Sequence, residues 1–313
     1  MSIRVGVDVT GGDFFPRSPI EGAIAAHIEK PGIEIVLVGN RQIIEDYFRE
    51  KEIDNPFEII HSPTYIDMGD NPVRSITTKQ DSSIVVGLRS LREGKLDAFV
   101  SAGNTGAVVA GSVLIIGTVE GVSRPTLAAI FPPVLGNKAS LICDVGANVD
   151  CKPDNLVEFG KLASIFIHTM FKISEPKVAL INIGEEETKG NAQTKQAYKL
   201  FEQEPNVNFV GNIEGRDIIK NKADVMVCDG FVGNILLKYG ESFYNVFVEK
   251  LPDDPILEKF DFELTGGLPL LGVENIVIIG HGVSGPLAFK NMIFRASEMK
   301  ELKLIETIKE KFQ

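Results

Sequence analysis

The sequence predicts an α/β protein whose mainly parallel sheet is covered by helices on both faces. Two observations carry that prediction. Short β-branched apolar runs alternate with longer helical patterns along the 313 residues. Alternation of this kind implies βαβ units. The glycines, in addition, cluster just after the apolar runs instead of scattering.

The elements follow in order. Strands are expected at 3–9 (IRVGVDV), 33–38 (IEIVLV), 57–61 (FEIIH), 96–101 (LDAFVS), 127–131 (LAAIF), 139–144 (ASLICD), 177–183 (KVALINI), 223–228 (ADVMVC) and 275–279 (NIVII). Each is short and rich in residues that fit a pleated, buried surface. Helices are expected between them at 18–30, 41–51, 80–93, 105–117, 154–172, 191–203, 234–250 and 286–312. No repeat, low-complexity stretch or long linker interrupts the pattern, so residues 1–313 read as a single α/β domain. The least regular stretch is 250–268, part of a helical excursion over about 234–268.

Composition narrows the function. With 44% hydrophobic residues the chain can bury a large core. A net charge of −11 argues against a nucleic-acid partner and requires a local basic patch for any acidic one. Cys143, Cys151 and Cys228 are an odd set without CxxC spacing, which points to a reducing compartment and to no zinc site. The start enters a strand-like run without the features of a signal peptide. The longest uncharged apolar segment, around 98–117, is too short and too polar to span a bilayer. The expected location is the cytoplasm.

Seven Gly-bearing turns follow strands: DVTGGD, VGN, SAGNTG, DVGANVD, NIGEEETKGN, CDGFVGN and IGHGVSG. In parallel sheets ligands bind beyond the carboxyl ends of strands, where the backbone must come close to them. Any one turn is a sharp reversal; the set suggests one large site. GHGVSG (280–285) has dinucleotide-fingerprint spacing but lacks the following strand with an acidic end, so no nicotinamide cofactor is expected. Asp8, Asp13, Asp144, Asp150 and Asp229 stand at strand ends, where they would hold a metal or, more commonly, cap turns and helices. No cofactor and no metal are expected. Cys151 is a small turn residue with no histidine near it in sequence, and His281 is the histidine placed in a Gly-rich turn. Lys189 lies between two glycines, as a site lysine or as a solvated balance to three glutamates. Asn234 reads as a helix N-cap or as a site amide.

Together SAGNTGA, DVGANVD, NIGEEETKGN, VGNIEGRDI, VCDGFVGN and PLLGV…HG resemble motifs of the PlsX family of phosphate acyltransferases. VDVTGGD, NPVRSI and KQDSSI add to the likeness, which runs in order over nearly the whole chain. The resemblance implies a three-layer α/β/α sandwich of the isocitrate/isopropylmalate dehydrogenase type, related to phosphotransacetylases. It also implies transfer of a fatty acyl group from acyl-(acyl carrier protein) to inorganic phosphate, at the start of phosphatidic acid synthesis, by a homodimer. There are departures: Val9 and Thr10 replace Ala-Met, and Thr265-Gly266-Gly267-Leu268-Pro269 stands for Tyr-Gly-Gly-Ala-Pro. The family's amphipathic hairpin, associated with peripheral contact at the inner face of the membrane, is shortened here, with Pro252 and Pro255 inside it.

Attack of phosphate on a thioester needs anion binding, orientation and oxyanion stabilisation more than a strong base. On that ground Lys189 is expected on phosphate or the thioester oxygen and Asn234 on the oxyanion, with His281 orienting or protonating. Gly103, Asn104, Thr105 and Gly106, with Gly146 and Asn148, are expected to cradle phosphate or pantetheine, alongside Gly12 and Asp13. Docking of the acidic carrier protein falls to Arg216, Lys220 and Lys222, or to Lys290, Arg295 and Lys300. Rival readings are a phosphotransacetylase-like enzyme using acyl-CoA and an inactive scaffold that binds the carrier protein.

Overall fold

The computed structural model describes residues 2–131, 139–251, 254, 257 and 260–312. The chain forms two compact units, Met1–Gly117 with Phe262–Ile305, and Thr118–Asp261 with Glu306–Gln313. In chain order the first unit begins with β1 (Ile3–Asp8), α1 (Arg17–Glu29), β2 (Ile33–Gly39), α2 (Arg41–Glu50), β3 (Glu58–His61), α3 (Pro72–Thr78), α4 (Ser83–Arg92), β4 (Ala98–Ser101) and α5 (Thr105–Gly111). The second unit holds β5 (Thr126–Phe131), β6 (Ser140–Cys143), α6 (Pro153–Phe171), β7 (Lys177–Asn182), α7 (Ala192–Glu202), β8 (Asn208–Glu214), β9 (Val225–Val227) and α8 (Gly230–Phe247). The chain then returns to the first unit with β10 (Leu268–Leu271), β11 (Ile276–Ile279) and the helix Pro286–Glu301.

Within the first unit the strand order is β3-β2-β1-β4-β11-β10, parallel except for β10 against β11. One layer of helices is α1 packed on Pro286–Glu301; the other is α4 packed on α5. A glycine allows close packing in each layer, helix on helix in the first and helix on sheet in the second. Gly22 of α1 lies against Phe289, and Gly87 of α4 lies so close to the Phe99 ring that a Cβ would come within 2.2 Å of it. Val5, Val7, Phe99 and Ile278 are fully buried between the layers.

The second unit has the order β5-β6-β9-β7-β8, with β5 antiparallel to β6 and the rest parallel. Its core gathers Phe159, Phe166 and Phe201 from α6 and α7, with Phe201 stacked on Phe209 of β8. The mainly parallel α/β architecture expected from the sequence is present in both units.

Several elements differ from expectation. The helix expected over 105–117 is α-helical only to Gly111 and continues as a π-helix over Ser112–Ile116. There the Ser112 hydroxyl donates to the Val108 carbonyl at 2.7 Å, a local competitor of the helical bond. The last helix breaks at Lys303, whose φ is 53°, and resumes over Leu304–Lys311. Strands β8 and β10 have no counterpart among the expected elements. β8 carries Gly211 and two asparagines at the edge of its sheet, and β10 is a four-residue antiparallel segment with Pro269. Pro252 and Pro255 lie outside the described residues.

Candidate functional site

In the second unit β6 ends at Cys143 and delivers Asp144, which is fully buried. Its carboxylate gathers the following turn. It accepts from the N–H of Leu127 at 2.9 Å, Ala147 at 3.2 Å and Asn148 at 2.6 Å, and from Asn148 Nδ2 at 3.0 Å. Burial pushes this carboxyl above its usual range, and the four donors pull against that shift. The capping role expected for Asp144 is the one it performs.

The turn meets the start of α8. Asn148 O accepts from Gly230 N at 2.8 Å, and a Cβ on Gly233 would come within 1.8 Å of Asp144 O. Glycine is required at 233 so that the helix can lie on the turn's backbone. Gly146, at φ 135°, lies beside Asn234: a Cβ there would be 3.5 Å from Asn234 Oδ1.

Asn234 is not the N-cap of α8. Asp229 is, with its carboxylate accepting from Val232 N at 2.8 Å, and Asn234 sits in the second turn. The helix starts earlier than the expected 234 because Asp229 caps it and Gly230 and Gly233 permit close packing. Asn234 is half-buried, and its amide makes no hydrogen bond among the described residues.

Lys189 is held by its backbone. Its N–H donates to Glu186 O at 3.0 Å and its carbonyl accepts from Asn182 Nδ2 at 3.2 Å. The side chain is exposed, and among the described residues its ammonium pairs with none of the three glutamates; Glu185 instead pairs with Lys222 at 2.6 Å. Cys151 is half-buried, its Sγ donates to Asn148 O at 3.3 Å, and burial beside Asp144 pushes its thiol up to about 12. It is a protonated turn residue.

The first unit has a cluster of its own. Asp8, at the end of β1, is fully buried. It accepts from Ser101 Oγ at 2.7 Å, Thr10 Oγ1 at 3.0 Å and Thr10 N at 3.1 Å. Burial raises its pKa against the pull of these hydroxyls and of Ser83. Ser101 Oγ in turn accepts from Gly103 N at 3.1 Å. Asn104 caps α5 by accepting from Ala107 N, and its Nδ2 donates to the carbonyls of Asp67, Met68 and Asp70, so its amide is committed to positioning. Thr105 opens α5, and Gly106 packs on Pro72. Asp13 N donates to Gly282 O at 2.7 Å, which sets Gly12 and Asp13 beside the turn of His281; the His281 ring is 5.5 Å from that of Phe262.

The seven Gly-bearing turns are therefore divided, four in the first unit and three in the second. The six cations expected to dock a carrier protein all have carboxylate partners. Arg216 pairs with Glu214, Lys220 and Lys222 with Asp217, Lys290 with Glu29, Arg295 with Glu298 and Lys300 with Asp97. Among the described residues no group of three or more His, Cys, Asp or Glu converges as a metal site, and no helix is long and apolar enough to cross a membrane. Sequence reasoning missed the hydroxyl cluster around Asp8. Serine and threonine have no pattern that marks them as partners of a distant aspartate.

The profile of the family described as "Fatty acid synthesis protein" matches residues 3–256. The phosphate acyltransferase of Caldicellulosiruptor saccharolyticus is 40% identical, with 98% of each chain covered. That of Acetivibrio thermocellus is 41% identical over 98% of this chain and 95% of its own. This chain belongs to the phosphate acyltransferase family. The fold agrees with a solved phosphotransacetylase from Streptococcus pyogenes, at a TM-score of 0.64 and 17% identity over 96% of this chain and 94% of that one. In the second unit the structure brings the Gly146 turn and Asn234 together, while the contacts of Lys189 among the described residues are with Gly184, Glu186 and Asn182.

Proposed function

We propose that this chain transfers a fatty acyl group from acyl-(acyl carrier protein) to inorganic phosphate, giving the acyl phosphate used in phosphatidic acid and phospholipid synthesis. Family membership supports the acyl transfer to phosphate. The observation that carries the site is the Asn234 amide, without a hydrogen bond among the described residues and held next to the Gly146 turn by Gly230 and Gly233.

In this reading a phosphate oxygen forms a bond to the thioester carbonyl carbon while negative charge builds on the carbonyl oxygen. Asn234 Nδ2 donates to that oxygen, an interaction that strengthens as the charge develops. The C–S bond then breaks and its electron pair leaves on sulfur. A thiol with an ordinary pKa of about 8.5 needs no strong acid to depart. Lys189 supplies the positive charge for phosphate, and the backbone of Gly146 and Asn148 shapes the space around the reacting carbon. Gly12, Asp13, Gly103, Asn104, Thr105, Gly106 and His281 are the first unit's candidates for substrate contact, with His281 orienting or protonating. A homodimer in the cytoplasm with peripheral membrane contact completes the proposal. Its support is the motif resemblance and the exposed apolar side chains of α8 such as Phe231 and Val246.

The test is to incubate the protein with palmitoyl-(acyl carrier protein) and phosphate, trap acyl phosphate as hydroxamate, and repeat with palmitoyl-CoA. Hydroxamate from the carrier-protein donor supports the proposal. Product from acyl-CoA alone would favour a phosphotransacetylase-like enzyme, and none from either a binding scaffold.

A further inference from the structure

The turn that carries Lys189 is held from three sides within the second unit. Gly184, which is buried, lies against the stem of the lysine: a Cβ there would come within 2.9 Å of Lys189 Cγ and 3.5 Å of Lys189 Cβ. The backbone at Gly184 is not in the left-handed region. The glycine is needed there for close approach and not for its conformation. On the second side, at the end of β7, Asn182 Nδ2 donates to the Lys189 carbonyl at 3.2 Å. Asn182 Oδ1 accepts from Ile183 N at 2.8 Å, so both ends of that amide are used.

The third support comes from β8. Asn212 Nδ2 donates to Glu186 O at 3.1 Å, and the same carbonyl accepts from Lys189 N at 3.0 Å. Asn212 is only 7% exposed, and its Oδ1 is buried without a hydrogen-bond partner among the described residues. Buried amides are ordinarily satisfied at both ends, because an unpaired acceptor is costly. A leucine of similar size would carry no such cost. What an asparagine supplies at 212 is the one bond to the carbonyl that Lys189 N–H shares.

We propose that Gly184 and Asn212 are positioning residues for the reaction, which together aim the Lys189 ammonium at phosphate. The inference rests on the reading of Lys189 as the phosphate cation and adds what orients it. A lysine is a point charge on a flexible stem. Left free, an exposed stem samples many rotamers, and binding an anion must then order it. Here the backbone of the turn is fixed by Asn182 and Asn212, and Cβ and Cγ rest on Gly184. Only the outer bonds of the side chain stay free, so less ordering is left for phosphate to cause. Neither Gly184 nor Asn212 is placed on the substrate; both act through Lys189.

The experiment measures kcat and the Michaelis constants for phosphate and for palmitoyl-(acyl carrier protein) in Gly184→Ala and Asn212→Leu. Each substitution is made in the wild-type background and together with Lys189→Ala. Gly184→Ala crowds side-chain atoms only, Lys189 Cγ and the flexible end of Glu186, so it leaves the backbone unstrained. Asn212→Leu removes the amide at similar volume, and either variant decides alone if the other fails to fold. The expected result is a rise of about fivefold in the Michaelis constant for phosphate in each variant, because a positioned group displaced by a fraction of an ångström loses that order of effect. The constant for the acyl donor stays unchanged. With Lys189 truncated, both substitutions should add nothing further, because positions that act through one another are not additive. An effect of the same size with and without the Lys189 side chain would mean that Gly184 and Asn212 serve only the fold, and would overturn the proposal. So would unchanged constants in both variants while Lys189→Ala still raises the constant for phosphate; that result leaves the phosphate reading standing. If Lys189→Ala itself leaves that constant at its wild-type value, the phosphate reading of Lys189 fails, and the inference falls with it.

Discussion

Asp144 Oδ2 accepts two hydrogen bonds from Asn148, one from its backbone N–H at 2.6 Å and one from its side-chain Nδ2 at 3.0 Å. The same amide donates to Pro125 O at 2.8 Å, so one residue locks the turn that faces α8. Removing the carboxylate leaves buried N–H groups unpaired, at about 1–3 kcal/mol for each unsatisfied group. Asp144→Ala should therefore lose about 3 kcal/mol of stability and at least tenfold in kcat. Urea unfolding and turnover measured on the same preparation check this. A variant with wild-type stability and wild-type kcat would remove Asp144 from its positioning role.

Lys189 and Asn234 should fail in different ways. A donor to a developing oxyanion is worth about 10²–10³ in kcat. Asn234→Ala should lose that much with little change in the Michaelis constant for phosphate. Lys189→Ala should instead raise that constant about tenfold, with Lys189→Arg restoring part of it, because the charge is kept while its geometry changes. Steady-state kinetics at varied phosphate separate the two patterns. Near-wild-type turnover in both alanine variants would contradict the assignment.

Cys151 sits beside this turn and has no nucleophilic part in the account. With its thiol pushed to about 12 by burial and by Asp144, almost none is thiolate at neutral pH. Cys151→Ser should keep kcat within about threefold, and the thiol should react slowly with a disulfide reagent at pH 8. Rapid labelling with loss of activity would point the other way.

Asp8 makes a prediction about pH. Its folded-state pKa is raised by burial above the ordinary 3.8, so the folded protein holds this proton more tightly than the unfolded chain. The stability it contributes is complete below the unfolded pKa and is lost as pH rises through the folded one. Asp8→Asn, which stays neutral, should therefore gain on the wild type as pH rises from about 4 towards 7. Urea midpoints across that range measure the difference. A constant difference would mean that Asp8 keeps an ordinary pKa in the fold.

Much of the fold was legible because strand and helix periodicities are local. The runs at 3–9, 33–38 and 177–183 reappear within a residue or so as β1, β2 and β7. What was lost depended on distant partners. Asn234 reads as a cap because asparagine before an apolar helix usually is one, yet Asp229 five residues earlier takes that position. Asn104 and Asn148 look like Asn234 in sequence, but the first two have committed amides, a distinction that depends on Asp67, Met68, Asp70, Asp144 and Pro125. The aromatic face of α8 has a faint local signal in Tyr239, Phe243 and Phe247, spaced by four. Only the structure sets Phe131 opposite that helix.

The most direct measurement of the central claim follows the phosphate. The protein is incubated with palmitoyl-(acyl carrier protein) and isotopically labelled phosphate, and free thiol and labelled acyl phosphate are counted together. The account predicts one labelled acyl phosphate for each thiol released, with both absent when phosphate is omitted. Thiol released without labelled product would mean that water takes the acyl group, and would contradict it.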